Sequence, residues 1–147
     1  MSTHQSTSTT RTAGRTVPQW LALVIGAVFT LIGVLGFFVT GFDGWADHQP
    51  DQTLLGFAVN PLHNVVHLLL GVVGLVLSRR EGSARGYGWL LVVGYGAVLV
   101  YGLVVSGQED GNFLNINTAD NVLHALTILG GLATALWPRR KDVDTRY

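Results

Sequence analysis

Cysteine is absent from the 147 residues, which removes disulfides, thiolate zinc sites, iron–sulfur clusters, covalent c-type haem and cysteine nucleophiles from this chain's chemistry. Charge is nearly as scarce. Only 12% of residues are charged, against 48% hydrophobic residues and 19 glycines, a balance foreign to soluble globular domains. Phosphate-binding glycine loops and nucleophile elbows are missing as well. His63-Asn64-Val65-Val66-His67 sets two histidines four apart, but without the Glu that a zincin helix carries beside its first His. What the chain has instead is apolar blocks of about twenty residues, the length that crosses a bilayer core of about 30 Å.

One domain's worth of chain is divided by these blocks. Residues 1–17 are rich in Ser and Thr and poor in large apolar residues; they are expected to form a disordered cytoplasmic tail, since they bury too little surface to offset ordering. Four helices are expected over 20–39, 60–78, 87–106 and 117–137, within a transmembrane domain spanning 18–138. The first block exceeds the apolar core of about 7–15 residues found in signal peptides, and no small-x-small site follows it, so it is expected to be retained. Gly41–Leu55 and Gly107–Ile116 read as loops, Glu81–Gly86 as a short turn, and 139–147 as a basic cytoplasmic tail.

Orientation follows from the cations. All nine Lys and Arg fall in the N-terminal tail, the middle turn or the C-terminal tail, whereas the first and third loops hold Asp43, Asp47, Asp51, Glu109 and Asp110. The positive-inside rule then gives four spans with both termini cytoplasmic. Trp20, Tyr87, Trp89 and Trp137 fall near the cytoplasmic ends, the level at which amphipathic rings anchor.

Helices two and four are written to one plan. NPLHNVVHLLLGVVGL (Asn60–Leu75) and NTADNVLHALTILGGL (Asn117–Leu132) each repeat Asn after four residues and place His three further on. Helices one and three end alike, in GFFVTG (Gly36–Gly41) and GLVVSG (Gly102–Gly107). The expected fold is therefore all-α, a four-helix bundle made of a duplicated helical hairpin about a pseudo-two-fold axis along the membrane normal. On helix two, Asn60, Asn64, His67, Gly71, Gly74 and Ser78 share one seam, with His63 beside it; helix four repeats it with Asn117, Asn121, His124 and Asp120. Helix one offers Gly26, Thr30, Gly33 and Thr40 on a similar seam. Polar and small residues aligned in this way belong at helix–helix contacts, because lipid tails satisfy no polar group.

Asn60 and Asn117 sit where N-caps belong, Pro61 suits the first helical position, and Asp120 suits the third residue of a capping box. Asn64 and Asn121 lie a turn deeper and are expected to hydrogen-bond between helices, one to its pseudo-symmetric mate. The histidines keep several readings open. His63, His67, Asp120 and His124 could ligate one divalent metal ion of the zinc type. His67 and His124 could instead be axial ligands of a haem, or the set could pass protons or a small solute. Against these stands a structural network of neutral histidines. An enzymatic reading has the least support, for no nucleophile–base pair is visible.

LLGFAVNPLHNVVHLLLGVVGL (Leu54–Leu75), FLNINTADNVLHALTILGG (Phe113–Gly131) and the four-helix hydropathy resemble a family of small bacterial membrane proteins known as domain of unknown function 4383. The likeness spans roughly Trp20 to Trp137. It implies a bacterial multi-pass membrane protein and carries over no activity; the whole reading places the chain in the bacterial inner membrane. The partner expected from the whole reading is the lipid bilayer rather than nucleic acid, with a homo-oligomer or a larger membrane complex left open.

Overall fold

The computed structural model describes residues 14–108 and 110–139; the rest of the two expected tails and Glu109 lie outside the described residues. Four helices carry the chain: α1 (Val17–Thr40), α2 (Pro61–Leu77), α3 (Glu81–Val105) and α4 (Thr118–Leu136). The architecture is all-helical apart from a two-stranded hairpin, β1 (Thr53–Leu54) with β2 (Phe57–Ala58), in the first loop. Three of the helices are long and apolar enough to cross a membrane: α1 with 24 residues and mean hydropathy 2.6, α3 with 25 and 2.1, and α4 with 19 and 1.2. The fourth, α2, is shorter at 17 residues. Such helices are those of a membrane protein.

Local sequence explains the ends. Pro18 lies in the first turn of α1, where the Thr16 N–H donates to Gln19 Oε1 at 2.9 Å, and the helix stops at Gly41 with φ 62°. Asn60 caps α2 through a 2.9 Å bond from the His63 N–H, and Asn117 caps α4 through a 3.0 Å bond from the Asp120 N–H. Between β1 and β2 the turn residues Leu55 and Gly56 have φ 56° and 89°, both positive as a two-residue type I′ turn requires.

The turn expected over Glu81–Gly86 is instead the first turn and a half of α3. Glu81 stands at the positive end of the helix dipole, and Arg85, one turn on, donates to its carboxylate at 2.7 Å. The same guanidinium donates to the Ala135 carbonyl at 2.9 Å, satisfying the end of α4. Gly82 and Gly86 face open space and do not interrupt the helix, so the connection shrinks to Ser78–Arg80.

Packing is uneven. α1 lies chiefly along α2, and α3 chiefly along α4. The seam on α2 meets the seam on α1 at backbone distance: a Cβ on Gly26 would stand 2.7 Å from the Leu75 nitrogen, and one on Gly33 would stand 2.7 Å from the Leu68 nitrogen. In the second hairpin, a Cβ on Gly88 would stand 2.6 Å from the Gly131 carbonyl oxygen. Small residues allow this approach, which replaces the hydrophobic drive that lipid does not supply. The hairpins meet through Ala22 and Phe29 of α1 with Ala84, Tyr87, Leu91 and Tyr95 of α3. Outward, Leu31, Val93, Leu103 and Leu129 are exposed, an apolar belt suited to acyl chains.

Candidate functional site

At the loop end of the bundle the two helix starts reach across to one another's approach loops. Asn60 Nδ2 donates to the Phe113 carbonyl at 2.8 Å, and Asn117 Nδ2 donates to the Gly56 carbonyl at 3.0 Å. One residue type, at one helical position, contacts the residue four before the other helix's cap. The third helical positions also cross. The His63 ring bonds through Nδ1 to the Leu114 carbonyl at 3.0 Å, and the Ala58 N–H donates to Asp120 Oδ2 at 3.2 Å. Because a carbonyl only accepts, His63 Nδ1 carries the proton of that bond. Asp120 Oδ2 also accepts from the Asn117 N–H at 2.9 Å, closing the capping box.

Asn115 ties the lid together. Its Nδ2 donates to the Gln49 and Val59 carbonyls, both at 2.9 Å, and its Oδ1 accepts from the Gln49 N–H at 3.0 Å. Its backbone has φ 53°, a conformation Asn tolerates better than most residues. Asn112 closes its own loop with bonds to the Ile116 carbonyl and from the Ile116 N–H. These two asparagines lie outside the helical seams, so helix periodicity could not find them. The signal that could have done so was Asn enrichment in NFLNINT, residues 112–118.

Asn64 and Asn121 do not pair with each other as expected. Asn64 Nδ2 donates to Thr40 Oγ1 at 2.9 Å, and its carboxamide oxygen lies against Gly36. The Asn121 oxygen lies against Gly102 in the same manner. Each therefore turns to the partner helix of its own hairpin, because the missing side chain of the facing glycine admits the amide. Neither oxygen has a conventional hydrogen-bond donor among the described residues.

The histidines form a layer beneath the lid. The rings of His63 and His67 lie 4.6 Å apart, and those of His63 and His124 lie 6.3 Å apart. One ligand nitrogen from each can be chosen so that all three fall within 4.8 Å of one another. Asp120, expected beside them as a fourth ligand, is not part of this group; its carboxylate is held by the cap and the lid. His67 is 3% and His124 1% exposed, and the Nδ1 of each lacks a hydrogen-bond partner among the described residues. Tyr95, read from sequence only as a packing anchor, sets its ring at a tilt 5.1 Å from His124 and 5.5 Å from Phe29. Its hydroxyl is likewise without a partner there.

A cleft of about 300 Å³ opens beside this layer, bordered by the three histidines and Tyr95 and walled by apolar side chains of α2 and α3. At the far end of the bundle a cavity of about 450 Å³ is lined by Arg15, Glu81, Arg85, Trp137 and Arg139. That end gathers the start of α1, the α2–α3 connection and the end of α4.

A family model described as a domain of unknown function (DUF4383) matches residues 19–137. No curated protein and no solved structure matches the chain.

Proposed function

The chain belongs to the DUF4383 family, and we propose that it is a four-span protein of the bacterial inner membrane. Both ends are cytoplasmic, and two like hairpins are sealed at their outer end by the Asn/His/Asp seam. The observation that carries this reading is the reciprocity of the lid bonds. Asn60 reaches the Phe113 carbonyl as Asn117 reaches the Gly56 carbonyl, each four residues before the other helix's cap, and the third helical residues His63 and Asp120 both cross to the opposite loop. Hairpins related by a two-fold axis make such contacts in pairs, and for a parallel repeat that axis runs along the membrane normal. The matched seating of Asn64 on Gly36 and Asn121 on Gly102 supports the same correspondence.

The short helix α2 suits the scheme. Seventeen residues at about 1.5 Å each span roughly 25 Å, the lower end of what crosses a bilayer, and its polar first turn belongs to the lid. Arg79, Arg80, Arg85 and Arg139 all lie at the other end, which supports a cytoplasmic placement for it. In this reading the lid residues act structurally, closing the bundle where backbone loops would otherwise meet lipid unsatisfied, and no catalysis is assigned to them.

The cysteine-free chain makes orientation directly measurable. Asp51→Cys, Asp110→Cys and Gly82→Cys each introduce one thiol for a membrane-impermeant maleimide. Asp51→Cys and Asp110→Cys should label in intact cells and Gly82→Cys only after lysis. The reverse pattern would overturn the orientation, and labelling of all three in intact cells would overturn the four-span arrangement.

A further inference from the structure

Three imidazoles stand together where the lid's hydrogen bonds leave off. His63 and His67 share one face of α2, four residues apart, and His124 arrives from α4, so the cluster exists only when the two hairpins dock. The His63 ring is already oriented. Its Nδ1 proton is committed to the Leu114 carbonyl at 3.0 Å, which leaves Nε2 with a free lone pair, the arrangement in which a carbonyl fixes the tautomer of a metal-ligating histidine. His67 and His124 are buried with Nδ1 unpartnered among the described residues, and buried polar atoms are otherwise almost always satisfied by protein, water or an ion.

We propose that His63, His67 and His124 bind one divalent transition-metal ion of the zinc class inside the bundle, with its remaining coordination position reached from the apolar cleft between α2 and α3. The set contains no thiolate and no carboxylate, and neutral imidazoles suit zinc, cobalt or copper rather than magnesium or calcium. Tetrahedral zinc with bonds of about 2.0–2.1 Å sets its nitrogens roughly 3.3 Å apart. The nitrogens within 4.8 Å of one another reach that spacing by ring rotation and small side-chain shifts. Three neutral ligands leave the ion's charge uncompensated in a water-poor interior, so the fourth ligand is anionic, such as hydroxide. Tyr95, whose ring lies 5.1 Å from His124 and which borders the same cleft, supplies a hydroxyl to hold it. Val66, Leu69, Leu70 and Val98 form the other walls, so whatever reaches the ion arrives through apolar surroundings. This goes beyond the sealing role of the lid and does not depend on which way the bundle faces.

The test uses full-length protein in detergent, purified without a histidine tag, stripped of metal, and titrated with Co²⁺ and then Zn²⁺. Visible absorption of four- or five-coordinate cobalt should grow to saturation at about one ion per chain and fall as Zn²⁺ displaces it. Either ion should also raise the melting temperature, as binding to the folded state requires. His67→Gln and His124→Gln should each weaken Co²⁺ binding by roughly tenfold or more, whereas Asp120→Asn should leave the cobalt spectrum unchanged. Two outcomes overturn the site: a wild-type titration showing only the pale spectrum of hydrated cobalt with no change in melting temperature, or saturable binding that survives in the His67→Gln/His124→Gln double variant. Should those variants fail to fold, the wild-type titration decides alone.

Discussion

Within one turn of α2, and again of α4, the bundle changes how it treats polar side chains. At the helix starts, Asn60, His63, Asn117 and Asp120 each bond across to the other hairpin or its loop. One turn deeper, His67 and His124 are as deeply buried, yet their Nδ1 atoms find no partner among the described residues. Both layers occupy the same helices and the same seam, so neither helix propensity nor hydropathy separates them. The difference is one of use. The upper layer is explained by folding alone, since a bundle end must satisfy its backbone and caps. The lower layer is not, because an unpaired buried polar group is a standing penalty of about 1–3 kcal/mol that an apolar residue would avoid.

The comparison breaks most severely where both layers share a foundation. Gly102 lies against the Asn121 carboxamide, in the stretch of α4 between Asp120 and His124. Gly102→Val should force α4 away from α3 and lower stability in detergent by about 3 kcal/mol or more, the upper range for overpacking. Gly96→Ala should change little, since nothing lies within 4 Å of a Cβ there. Thermal unfolding followed by circular dichroism measures both, and equal effects would refute close packing at Gly102.

A finer division comes from treating the layers separately in metal-free protein. Asp120→Ala strips the acceptor from the Ala58 and Asn117 N–H groups, and should cost about 2 kcal/mol. His67→Leu exchanges an unpartnered imidazole for an apolar side chain of similar size, and should be neutral or stabilising by up to about 1 kcal/mol. A loss from His67→Leu as large as that from Asp120→Ala would mean that the two layers are alike and both structural.

The smallest effect concerns the hairpin that carries Ala58 to Asp120. Leu55 is 85% exposed with φ 56°, and Asn-Gly fits a type I′ turn far better than Leu-Gly. Leu55→Asn should therefore stabilise by a few tenths of a kcal/mol to about 1 kcal/mol, read as a small rise in melting temperature. A fall would show that the turn is held by something other than its own backbone preference.

Much of this was readable from residues alone, and the parts that were not share a cause. The caps at Asn60 and Asn117, the Pro61 start and the Asp120 capping box are local chemistry, decided within four residues. The start of α3 was misread because Gly82 and Gly86 look like a turn, while the contacts that make helix there, Arg85 to Glu81 and to Ala135, include one across fifty residues. Asn115 was missed for a similar reason: its partners Gln49 and Val59 lie more than fifty residues away in sequence.

By itself, the sequence determined which segments are apolar helices, where α2 and α4 begin, and which residues share a seam, since these follow from hydropathy, local capping and a period near 3.6. The tertiary structure decided what each polar residue on that seam does. It sent Asn64 to Thr40 and Gly36 instead of to Asn121, withdrew Asp120 from the histidines, and left His63, His67 and His124 together. Hydrogen-bond partners and ligand distances depend on how two hairpins dock. That docking is set by Ala22 and Phe29 packing on Ala84, Tyr87, Leu91 and Tyr95 and by loops crossing between the halves, neither of which a period along one helix encodes.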